Sequence, residues 1–142
     1  MPYSPLLGPL FALVLWSLIM LVWAGVRRIP ALKRHRVRPN PELPQSEFLR
    51  SLPGKDRWPG ENYNNLMEQP TLFYAVIFAL ILIRQDGDVN LALAWGYVGL
   101  RILHSLIQAT LNVVPVRFLV FCLATLMLVG LVVNGLLAFT AG

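Results

Sequence analysis

Residues 118–139 read FLVFCLATLMLVGLVVNGLLAF, a run without a single charge. A helix needs about 20 such residues to cross the hydrocarbon core of a bilayer. Residues 6–26, LLGPLFALVLWSLIMLVWAGV, form a second uncharged run of the same length class. A third, residues 89–111, is interrupted by Arg101, His104 and Gln108. A fourth, residues 71–83, is apolar but short, and it reaches spanning length only if its helix starts near Asn64. That start brings Glu68 into the membrane or to its edge. The expectation is an all-α membrane protein with one domain over residues 1–142. It is a four-transmembrane-helix bundle with spans at about 6–26, 64–84, 89–111 and 116–139.

Composition agrees. Of 142 residues 56% are hydrophobic and 13% charged, and the mean hydropathy is +0.61. Soluble domains carry about 25% charged residues, so an ordinary soluble domain and a disordered chain are both excluded. Cys122 is the one cysteine, which rules out a disulfide framework. The first run has no basic stretch before it, and Arg27 and Arg28 follow it, so it reads as a retained span and not a signal peptide. No Gly-rich phosphate loop, Cys–His zinc cluster or G-x-S-x-G motif occurs, and no metal site is expected.

Between the first two spans, residues 27–62 hold nine Lys or Arg against four acids, a net +5. The opposite connection, residues 84–90, holds Arg84, Asp86 and Asp88, a net −1. The positive-inside rule makes 27–62 a basic cytoplasmic loop and puts both termini on the non-cytoplasmic side. The run Lys33-Arg34-His35-Arg36 suits lipid phosphates, and no nucleic-acid partner is expected. Pro30, Pro39, Pro41, Pro44, Pro53 and Pro59 punctuate this loop, and such density predicts extended chain without a long regular helix.

Ionisable groups inside a membrane are expensive and are functional candidates by default. Arg101, His104, Gln108 and Asn112 fall at i, i+3, i+7 and i+11, one stripe of a helix. Asn65 and Glu68 share a face of the second span. At a rise of about 1.5 Å per residue, Glu68 lies about 22 Å from Ile83 and Arg101 about 18 Å from Val89, which predicts a Glu68–Arg101 ion pair at similar depth. Such a pair also serves as helix-to-helix bonding. Arg117 follows Pro115 at the start of the last span, where free N–H groups and the helix dipole favour an anion.

These residues resemble the MAPEG superfamily, the membrane-associated proteins of eicosanoid and glutathione metabolism. The second-span signature Asn-x-x-Glu appears as Asn65-Leu66-Met67-Glu68, followed by Pro70 and Leu72-Phe73-Tyr74. The third-span signature Arg-x-x-His appears as Arg101-Ile102-Leu103-His104 and continues without a gap to Pro115-Val116-Arg117. The resemblance implies a homotrimer of four-helix bundles with glutathione bound between subunits near the cytoplasmic face. It further implies that Arg117 stabilises the thiolate as the catalytic residue. Asn65, Glu68 and His104 would line the peptide's site, and Arg27 would reach in from the neighbouring subunit.

The implied activity is a glutathione transferase or peroxidase acting on a lipophilic small molecule. The chain also departs from family members. Asn64 stands in place of an arginine, Gln108 and Phe121 in place of tyrosines, and Phe118 in place of a serine. This pattern is similar to the compact bacterial branch of the family, implying a bacterial inner membrane. The same departures point to an alternative, a non-catalytic structural or accessory subunit of a larger membrane complex.

Overall fold

The computed structural model describes residues 2–38, 40–44, 47 and 49–142. These hold five helices of 13 residues or more, and no strand occurs among them: α1 (Leu7–Arg34), α2 (Gly54–Leu66), α3 (Pro70–Leu82), α4 (Asp88–Thr110) and α5 (Val114–Ala141). Three runs are long and apolar enough to cross a membrane: Leu7–Arg34, Gly54–Leu82 and Val114–Ala141.

The second of these runs joins α2 to α3 through a tightened turn at 67–69. Pro70 has no N–H to return to the Leu66 carbonyl, so the helical ladder cannot continue unbroken. The chain switches instead to i→i+3 bonds: Met67 N–H donates to the Asn64 carbonyl at 3.1 Å and Glu68 N–H to the Asn65 carbonyl at 3.2 Å.

Contacts fix the directions of the helices. Gly96 on α4 meets Met127 on α5, Leu93 meets Gly130, and Asn90 bonds Asn134, so α4 and α5 run antiparallel. A Cβ on Gly130 would lie 3.2 Å from Leu93 Cδ1, which shows how closely the two helices approach there. Along α2 and α3, Asn65 reaches Gln108 and Gln69 reaches Tyr97, which makes this run antiparallel to α4 as well. Leu13, Met20, Leu66, Phe73, Ile77 and Tyr97 fill the interior. Phe73 and Tyr97 stack at 4.6 Å between ring centroids. Outward, α5 presents Phe118, Leu126, Leu137 and Phe139, each more than half exposed. That exterior suits acyl chains, which make no demand for polar cover.

The basic segment corrects the expectation of an extended loop over 27–62. Helix α1 continues through Pro30 to Arg34, and α2 begins at Gly54 with Pro59 inside it. The structure supplies the compensation. Pro59 leaves the Lys55 carbonyl without its helical donor, and Arg27 Nε donates to that oxygen at 3.4 Å. Arg27 also pairs with Asp56 at 3.2 Å. One turn further, the Arg28 guanidinium lies against Gly60 in space that a Cβ would occupy. Pro59 is tolerated because α1 packs along α2 and supplies a donor to the carbonyl it frees. Pro39 lies outside the described residues.

Candidate functional site

Where α2 gives way to α3, a cavity of about 280 Å³ opens between that turn, α4 and the first turns of α5. Its walls include Asn65, Glu68, Gln69, Arg101, His104 and Arg117. Phe118 and Phe121 close the apolar side. Four of the residues expected from sequence as binding groups, Asn65, Glu68, His104 and Arg117, therefore meet around one space, with Arg101 beside them.

Arg27 does not join them within one chain. It lines a separate cleft with Trp23, Lys55 and Thr110, on the side of the bundle formed by α1, α2 and α4.

Arg101 is the largest fully buried side chain, 1% exposed. The expected Glu68–Arg101 ion pair is absent: the ion pairs among the described residues are Arg27–Asp56 and Arg57–Glu61. The break before Pro70 explains it. Glu68 sits in the turn with its side chain exposed and does not occupy the continuous helical face that the pairing requires. Arg101 Nη2 donates instead to the Asn65 carbonyl at 3.3 Å, near the C-terminal end of α2. A cation there meets the negative end of the helix dipole. Its Cζ lies 5.7 Å from the Phe121 ring centroid, within cation–π range. Nε and Nη1 of Arg101 are buried without a partner, as is Nδ1 of His104, whose ring stands 6.0 Å from that of Phe121.

Two residues singled out in the sequence, Gln108 and Phe121, have structural work. Gln108 Oε1 accepts from Asn65 Nδ2 at 3.0 Å and so fixes the α2 side of the cavity. Phe121 touches both Arg101 and His104. Asn64 is exposed and does not line the cavity.

Gln69 was missed by sequence reasoning. Its Oε1 accepts from the Tyr97 hydroxyl at 3.1 Å and its Nε2 donates to Thr125 Oγ1 at 3.0 Å, linking the turn to α4 and α5. The i, i+4 spacing from Asn65 is the signal that could have found it.

Asn112 does not continue the polar stripe of α4. The helix ends at Thr110, Asn112 takes φ 50°, and its Oδ1 accepts from Arg117 Nη1 at 2.6 Å.

No curated protein and no solved structure matches this chain. A model of the MAPEG family matches residues 6–137, which take in every helix that builds the cavity and every side chain around it. With its apolar membrane-length helices, the chain is an integral membrane protein and belongs to the MAPEG family.

Proposed function

We propose that this protein acts as a homotrimer, binds glutathione at the cavity, and uses it in transferase or peroxidase chemistry on a lipophilic electrophile. The observation that carries the reading is the convergence of Asn65, Glu68, His104 and Arg117 from three places in the chain on one cavity.

The donor set fits the ligand. Glutathione has two carboxylates, an ammonium and a thiol, and when bound it supplies a sulfur nucleophile. The guanidinium of Arg117 suits its anionic groups, and the buried Arg101 adds positive charge in the cavity wall. The exposed Glu68 carboxylate suits its ammonium. Arg117 stabilises negative charge on the sulfur, since a nearby guanidinium lowers a thiol's pKa. Phe118 and Phe121 exclude water from that side and offer an apolar surface to a lipophilic partner. Arg27, held outside the cavity of its own chain by Asp56, completes the site of a neighbouring subunit.

In this reading α4 is the fourth span. Its polar groups Arg101, His104 and Gln108 are each less than 5% exposed, so they face protein and not acyl chains. The membrane is the bacterial inner membrane, with both termini on the non-cytoplasmic side and the cavity toward the cytoplasm.

Calorimetry with glutathione on the detergent-solubilised protein tests the reading. Binding in the millimolar range or tighter is expected, and Arg117→Ala weakens it by at least about tenfold, the weight of one charged hydrogen bond. Absence of binding by the wild type overturns it.

A second reading, a non-catalytic subunit of a membrane complex, draws on the Asn65–Gln108, Gln69–Tyr97 and Gln69–Thr125 bonds, which join helices. In that case Arg117→Ala changes association or melting and no ligand is lost.

A further inference from the structure

We propose that Asn112 is a positioning residue that holds the Arg117 guanidinium at the cavity while leaving its charge uncompensated. The inference rests on the reading of the cavity as a glutathione site. Arg117 could be fixed by a carboxylate, which would orient the guanidinium and cancel its charge. The chain uses a carboxamide instead. Asn112 Oδ1 accepts from Nη1 at 2.6 Å, and among the described residues Arg117 has no other side-chain hydrogen bond and no ion pair. A guanidinium carries five N–H donors, so most remain for a ligand.

Asn112 is itself anchored. Its backbone N–H donates to the Ile107 carbonyl at 2.6 Å, closing the end of α4, and φ is 50°. Asparagine enters this left-handed region more readily than most residues, because its short side chain bonds locally. The clamp therefore grows out of the end of one helix and grips the first turn of the next, across the short link at 111–113. An anionic ligand meets an arginine that is already placed and still fully charged, which reduces the ordering cost of binding.

The test uses the full chain in detergent with two variants. Asn112→Gly keeps the left-handed backbone without steric cost and removes the clamp. Asn112→Asp keeps the clamp and cancels the charge. One measurement needs no ligand: the rate at which phenylglyoxal modifies Arg117, read by mass spectrometry of its peptide. Asn112→Gly is expected to speed modification about tenfold, the weight of a charged hydrogen bond, and Asn112→Asp not to speed it.

The second measurement is glutathione binding by calorimetry, together with the pH at which the bound thiol ionises, followed by thiolate absorbance. Asn112→Gly should weaken binding about tenfold. Asn112→Asp should weaken it about a hundredfold or more and raise the pH of thiol ionisation, because the neutralised arginine no longer favours thiolate.

A merely structural role would speed Arg117 modification in both variants and leave the thiol's ionisation alike in both. An unchanged Arg117 modification rate in Asn112→Gly overturns the proposal, as does wild-type binding by Asn112→Asp. If the wild type itself fails to bind glutathione, the glutathione reading falls, and the modification rates alone uphold or overturn the clamp.

Discussion

The two ends of the bundle both carry buried polar side chains and treat them differently. At the end away from the cavity, Asn134 Nδ2 donates to Asn90 Oδ1 at 2.8 Å, and Asn90 Nδ2 donates to the Gln85 carbonyl at 2.8 Å. Those amides close on one another and tie α5 to α4 and its leading turn. At the cavity end, Arg101 keeps two nitrogens without a partner and His104 keeps Nδ1. A polar group inside a membrane that has all its partners joins helices. One left without partners carries a cost with no return in folding.

The sharpest way to break this contrast is Arg101→Met. A buried guanidinium without a carboxylate contributes little net stability, and apolar replacements of similar volume are often neutral or stabilising. Melting in detergent should therefore hold or rise, while glutathione binding falls about tenfold or more with the loss of the positive charge in the cavity wall. A large drop in melting temperature with binding intact would turn the cavity end into helix bonding like the other.

The converse is Asn134→Leu, which strands Asn90 Oδ1. The expected loss is about 1–2 kcal/mol of stability, with glutathione binding unchanged in calorimetry. Loss of binding there would mean that the two ends are coupled.

The smallest effect belongs to Asp56→Asn, which releases Arg27. A half-exposed arginine pair contributes under about 1 kcal/mol, measurable by denaturant titration and shrinking as salt is raised. If Arg27 also serves a neighbouring subunit, binding changes more than stability does.

Much of this molecule could be read directly from its residues, and the parts that could not share a cause. The uncharged run 118–139 lies inside α5 and the run 6–26 falls in α1 from its first residue, Leu7, onward, because length and hydropathy are local properties. The stripe of Arg101, His104 and Gln108 is buried on one face of α4, as helical spacing requires. Helix ends were harder. The positive φ values that follow α1, α3 and α4 fall on Arg36, Arg84 and Asn112, and none is a glycine, so the usual stop signal is missing. The Glu68–Arg101 ion pair does not form, although both residues line one cavity, because the break before Pro70 leaves Glu68 exposed in a turn.

Spanning character, the basic end and the family signatures were thus determined by sequence alone, since each rests on residue type and spacing along the chain. Tertiary structure decided which lone pairs and donors were used up. Pro59 is tolerated because Arg27, far away in sequence, takes the carbonyl it frees. Arg101 is paired with a backbone oxygen, and Arg117 is held by an amide that left its helix. A hydrogen bond is specified by distance and angle between groups on different helices, and no one-dimensional pattern contains those.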